Sequence, residues 1–201
     1  MAQMGRPRTF DRDAAIVQAM HLFWEHGYES TSLSQLKAGI AGGISAPSFY
    51  AAFGSKEALF GEVLECYLNT HGRVTESLFD STLPARDAIE LALRRSARMQ
   101  CEAGHPRGCM VALGVIGVCT PEQGPTALSE VRDRTRNGIQ TCIARAVADG
   151  ELASDTDVRA LTSAFDSFLL GLSTLARDGI EHAMLDAAVG QVMKLWDGCR
   201  G

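Results

Sequence analysis

Residues 31–56 read TSLSQLKAGIAGGISAPSFYAAFGSK. Two short helices and the turn between them are written in this run. Ser32 and Gln35 have capping-box spacing, so hydroxyl and amide can each take an orphan backbone N–H at a helix start. Leu33, Leu36 and Ile40 give that helix an apolar side, and Gly39, Gly42 and Gly43 break it. The next helix starts at Ser45, tolerates Pro47 in its first turn and ends at Gly54. Ser55 then caps a longer one. Upstream, Asp11 to His26 predicts a first helix, with Asp11 as cap, Gly27 as stop and a buried stripe of Ile16, Met20, Phe23 and Trp24.

Two short helices joined by a glycine-containing turn and packed on a longer helix make a helix-turn-helix head. A helix of this kind fits the major groove, and its N-terminal residues reach base edges. Ser45, Ala46, Pro47 and Ser48 are small enough to let it sit deep. Phe49 and Phe53 can anchor its inner side, and Tyr50 would face outward with a hydroxyl for a phosphate. Lys56, in the first turn of helix four, joins an ammonium to unbonded amides. Arg6 and Arg8 form a basic arm suited to phosphate or the minor groove. Against this stands plain packing, since short helices with glycine turns occur in many all-α proteins, and the charge count does not decide: Arg6, Arg8, Arg12, Lys37 and Lys56 are balanced by Asp11, Asp13, Glu25, Glu29 and Glu57.

Helical periodicity continues to the C-terminus, and no stretch shows a sustained period of two. Helix four is expected to run from Ser55 to about Phe79, and helix five from Ala85 to Glu102. Helix six runs from Cys109 to Cys119, apolar on every side. Helix seven spans Ala127 to Asp149, helix eight Asp157 to Asp178 and helix nine Glu181 to Trp196. The fold class is all-α with about nine helices: a three-helix head over 1–54, helix four as link, and a helical body over 55–201. With 46% hydrophobic and 21% charged residues, a folded core is expected. No apolar run matches a membrane span, and Met1 to Phe10 lacks the apolar core of a secretory signal, so the chain is placed in the cytoplasm. A net charge of -5 argues against a general nucleic-acid binder but not a site-specific one. The six cysteines lack CxxC spacing, which speaks against a zinc site or a disulfide framework; no metal or cofactor is expected.

Thr31 to Leu36, then Gly43 to Tyr50, then Phe53-Gly54-Ser55-Lys56-Glu57-Ala58-Leu59-Phe60 resemble the signature of the TetR/AcrR family of transcriptional regulators. Gly5-Arg6-Pro7-Arg8, Phe23 and Gly27-Tyr28 fit it too, so the likeness covers the first third of the chain. One departure is the stretch 37–44, longer than the usual family turn and expected to bulge. The resemblance implies a homodimer formed through the last helices, one head per successive major groove of a pseudo-palindromic operator. It implies a body that binds a small effector. By position it assigns Tyr50 and Lys56 to phosphate, Ser45 to Ser48 to the groove, and Thr31 or Ser32 to the DNA backbone.

An effector pocket between helices five to eight would be lined by Ile89, Leu93, Cys109, Met110, Leu113, Ile116, Ile139, Phe165 and Phe168, residues that would equally serve a dry core. Arg107-Gly108-Cys109 resembles a segment found in family members whose cysteine senses electrophiles or oxidants. A helix start and a nearby Arg107 favour the thiolate, and Cys101 would be the resolving partner; the bland reading is a small packed residue. Three functions remain in play. They are a ligand-responsive repressor, with Cys109 sensing as a variant of it; a thiol-dependent enzyme using Cys109 and His105; and a helical interaction module.

Overall fold

The computed structural model describes residues 10–114 and 127–201, so Arg6, Arg8, Ile116 and Cys119 lie outside the described residues. The fold is all-α. Its elements are α1 (Arg12–His26), α2 (Leu33–Gly39), α3 (Ala46–Phe53), α4 (Lys56–Asn69), a 3-10 helix (His71–Phe79), α5 (Ala85–Met99), α6 (Met110–Leu113), α7 (Ala127–Ala148), α8 (Val158–Arg177) and α9 (His182–Asp197). The chain divides into two compact units, Met1–Thr70 and His71–Gly201.

In the N-terminal unit, the Asp11 carboxylate accepts from the Ala14 amide at 3.0 Å and starts α1. Gly27, at φ 79°, ends it in a conformation that favours glycine. The buried stripe of α1 is Ala15, Ile16, Ala19, Met20, Phe23 and Trp24. It packs on α4 through aromatic edges: Trp24 on Tyr67 at 5.0 Å and Phe23 on Phe60 at 5.1 Å between ring centres. Trp24, Tyr67 and Phe23 are at most 2% exposed, and each ring so buried contributes about 1.5–3 kcal/mol, so these contacts hold the scaffold for α2 and α3.

The capping box at Ser32 and Gln35 is formed in both directions. The long turn after α2 is a left-handed reversal: Ala41, Gly42 and Gly43 have φ of 52°, 69° and 98°. It closes back on α2 through Gly43 N to Ile40 O and Ile44 N to Lys37 O, at 2.9 and 2.8 Å. The Ala41 amide donates to Gln18 Oε1 at 2.7 Å, which fastens the turn to α1.

Helix four is shorter than its sequence stripe implies. It stops at Asn69, and the chain tightens into a 3-10 helix instead of continuing to Phe79. The Thr70 hydroxyl donates to Cys66 O at 2.7 Å, taking up a helix carbonyl, and Gly72 follows with little helix preference. Likewise, the described part of the sixth helix is only Met110–Leu113, ending at Gly114.

The C-terminal unit is built around Ile89, Leu93, Ile139, Ile143, Phe165 and Trp196, all at most 1% exposed. Ser77 Oγ donates to Ala88 O at 2.8 Å and pins the 3-10 helix to α5. Charged side chains join α5 to α9: Glu90 receives Arg86 and Arg94, which also reach Asp197 and Asp186. Arg136 on α7 donates to buried Asp166 on α8 at 2.7 Å. Among the described residues, no helix is long and apolar enough to cross a membrane.

Candidate nucleic-acid interface

The inner side of α3 is fixed by Phe49 and Phe53, 0% and 3% exposed. With those two turned inward, helical geometry presents Ser45, Pro47, Ser48 and Tyr50 outward, and all four are exposed. Ala46 is half-buried. The Ser45 hydroxyl caps the helix by accepting from the Ser48 amide at 3.3 Å, and the two serine hydroxyls touch at 2.9 Å. Only one of their two O–H groups is engaged between them, so the pair keeps a donor for an outside acceptor. The Tyr50 ring stands edge-on to Phe49 at 5.6 Å, which steadies a side chain 51% exposed.

Lys56 opens α4. Its Nζ lies 4.2 Å from the centre of the Tyr28 ring, a cation–π contact that aims the ammonium while keeping its charge. The Ser55 hydroxyl accepts from Ala58 N at 2.9 Å. Helix geometry leaves the Lys56 and Glu57 amides without an intrahelical acceptor, so ammonium and amides share one helix start. Tyr28 was not among the site residues expected from sequence. Its aromatic ring directly after Gly27 was the available signal. Burial pushes the Tyr28 phenol up, helped by Glu57 and Glu29, so it stays a neutral platform.

Thr31 and Ser32 part company. Thr31 is fully buried, and its hydroxyl donates to Gly27 O at 2.6 Å, locking the end of α1 to the start of α2. A DNA backbone does not reach it in this conformation. Ser32 is exposed and is the surface member of the pair. Arg12 is also withdrawn: it pairs with Glu62 at 2.7 Å and donates to Ala52 O. Seven carboxylates stand between residues 10 and 70 against Arg12, Lys37 and Lys56. Attraction to DNA therefore depends on few, placed cations rather than on a basic surface.

Of the residues expected to line an effector pocket, Ile89, Leu93, Ile139 and Phe165 are packed into the core of the C-terminal unit, with Phe168 half-buried against it. Met110 is 1% exposed, while Cys109 and Leu113 are half-buried. Cys109 is the N-cap of α6. Arg107 lies two residues before it in the chain. The guanidinium donates to Ala176 O at 2.7 Å and Ile180 O at 2.6 Å, clamping the end of α8, and meets the Cys101 sulfur at 3.6 Å. His105 packs edge-on against His71 at 4.6 Å. Among the described residues, no group of three or more His, Cys, Asp or Glu is placed to hold a metal.

Comparison with known proteins agrees with this geometry. Residues 15–63 match the family described as bacterial regulatory proteins, tetR family. Residues 86–189 match the tetracyclin repressor-like C-terminal domain. The chain is 34% identical over 198 residues to the HTH-type transcriptional repressor ComR of Escherichia coli (strain K12), covering 96% of this chain and 91% of that protein. Among solved structures it is similar to a cysteine mutant of the TetR-family regulator CifR complexed with 26-bp operator DNA. Identity there is 39% and the TM-score 0.82, covering 95% of this chain and all of that one. A putative TetR regulator from Rhodococcus sp. RHA1 matches at 31% identity and a TM-score of 0.60, over 93% and 98% of the two chains.

Proposed function

This chain belongs to the TetR family of bacterial regulatory proteins, and from that premise we propose that it is a repressor released from a pseudo-palindromic operator by a small effector. It is a DNA-binding transcriptional regulator and not an enzyme. The observation that carries the repressor reading is the ordered run on α3 and α4: exposed Ser45, Pro47, Ser48 and Tyr50, then Lys56 seated on Tyr28 at a helix start. Ser45 to Ser48 meet the groove. Tyr50, Lys56 and Ser32 hold phosphates. Arg6 and Arg8 serve a phosphate or the minor groove. The DNA-contacting part is residues 1–54, and α4 links it to the body.

Two copies act together through α8 and α9. Met184 and Leu195 on α9 are 66% and 47% exposed, and Leu175 on α8 is 43% exposed. Met184, Ala188 and Leu195 share one face of α9 by helical spacing. Added side-chain atoms at Gly171 and Gly190 would meet nothing within 4 Å, which leaves room for close approach of a second copy. Regulation takes place in the cytoplasm, where operator DNA lies. The effector enters the body. Of the residues expected to hold it, Cys109, Leu113 and Phe168 have surface to offer, whereas Ile89, Leu93, Met110, Ile139 and Phe165 would have to open from buried positions.

An electrophoretic shift on duplexes selected from random DNA tests this reading. A salt-sensitive, sequence-preferring complex that Tyr50→Ala and Lys56→Ala weaken is the expected result. Retention of full affinity by both variants would overturn the assignment.

A further inference from the structure

The C-terminal unit carries a groove of about 610 Å³ between the 3-10 helix and α7. Its size suits a small molecule. None of the residues expected from sequence to hold an effector lines it.

The groove has features that packing alone does not require. Phe79, at its edge, leaves 47% of a large aromatic side chain exposed. Facing it in the middle of α7 is Gly138, a residue that weakens a helix. A Cβ there would stand 3.1 Å from Leu78 Cβ and from the Phe79 ring, so glycine is what lets that ring lie against α7. Arg134, one turn earlier on α7, places its guanidinium carbon 4.8 Å from the Phe79 ring centre. Contact with a ring engages no N–H donor, so the guanidinium is oriented while its hydrogen-bonding fork stays available.

Three of the other charges around the groove have partners. Asp133 is held by Arg136 at 2.6 Å. Asp80 accepts from the Thr82 amide and hydroxyl, which lowers its pKa. Arg145 donates to Ser81 O and Leu83 O. Glu130, one turn before Arg134, also lines the groove. Among the described residues, neither it nor any other carboxylate forms an ion pair with Arg134. The Asn137 amide, exposed and between Arg134 and Gly138 in the sequence, adds a neutral donor to the lining. The groove thus combines an aromatic and aliphatic wall with one pre-oriented guanidinium.

We propose that this groove binds a small planar aromatic carboxylate. Its ring lies on the wall made by Leu78, Phe79 and Gly138, and its carboxylate is received by Arg134 with Asn137 beside it. The inference rests on the ligand-responsive reading above and deepens it by giving the effector a site and a chemical class.

Calorimetric titration of the full chain with 2-naphthoate tests it, with naphthalene-2-methanol as a neutral analogue of the same ring. One molecule per chain is expected to bind. Arg134→Gln should weaken 2-naphthoate about tenfold or more, the range of a charge-assisted hydrogen bond. Arg134→Lys should fall between, since it keeps the charge and loses the fork. The alcohol should bind more weakly and ignore both substitutions, while Phe79→Leu should weaken both compounds. Arg134 is exposed, so circular dichroism is expected to find both variants folded. No binding at millimolar 2-naphthoate, or equal affinity in wild type and Arg134→Gln, overturns the proposal. A second titration, against operator-bound protein, separates the two claims. Release that requires Arg134 supports the effector role; Arg134-dependent binding without release keeps the site and overturns that role.

Discussion

At Lys56 the placement of one ammonium has measurable consequences. Removing it by Lys56→Ala takes one phosphate contact from each head. The slope of log K against log salt should then shrink by about 0.9 per head, or about 2 for a dimer on its operator. Tyr28→Leu removes the ring beneath the ammonium but leaves the charge. It should lower affinity several-fold with little change in slope, because only orientation is lost. Fluorescence anisotropy at a series of salt concentrations reads both; a Tyr28→Leu slope as reduced as that of Lys56→Ala would refute the positioning role. The turn at 41–43 offers a test of backbone strain. Gly42 sits at φ 69°, where a side chain costs about 1 kcal/mol, so Gly42→Ala should lower stability by that order in urea unfolding. Ala41, at φ 52°, already bears such strain, and Ala41→Gly should leave stability unchanged or raise it.

Between elements, the ion-pair cluster joining α5 to α9 predicts an acid sensitivity. Burial pushes the Glu90 carboxyl up, but hydrogen bonds from Arg94 and Arg86 outweigh it, and its pKa is lowered in the folded protein. A depressed carboxyl stabilises the fold above its unfolded pKa, and that contribution is lost as pH falls through the folded value. Wild type should therefore lose stability on acidification below the ordinary glutamate range more steeply than Glu90→Gln, by denaturant midpoints across that range. Parallel pH profiles would show that the cluster is not coupled to folding. The elements themselves were largely legible in the sequence. Caps at Asp11, Ser32, Ser45, Ser55 and Asp157 act within three residues of themselves, and buried stripes repeat every turn. What escaped was decided by contacts between distant residues or by competition for one carbonyl. Thr70 ended α4 although the apolar stripe ran on. Arg107 is held by the carbonyls of Ala176 and Ile180 and by the Cys101 sulfur, a placement set by residues 69 and 73 positions away for the two carbonyls. The seat of Phe79 on Gly138 is equally invisible from either residue alone, and so is the burial of Thr31 against Gly27.

For the molecule as a whole, operator affinity depends on pairing of two folded copies. Met184→Lys together with Leu195→Lys puts charge on the exposed face of α9. Sedimentation equilibrium should find that variant monomeric and folded, with operator affinity much reduced because each head then binds alone. A dimer that persists would move the subunit contact elsewhere. The acidic character of the whole chain fits a regulator that discriminates: with few placed cations, non-specific attraction is weak and base contacts weigh more. The decisive measurement is the binding isotherm of the intact protein on a selected palindromic duplex and on a scrambled duplex of equal length. Wild type and the Tyr50→Ala/Lys56→Ala double variant are compared on both. The account predicts two chains per palindrome, a preference over scrambled DNA of about a thousandfold or more, and loss of that complex in a double variant with unchanged circular dichroism. Equal affinity for both duplexes, or a double variant that binds like wild type, would contradict it.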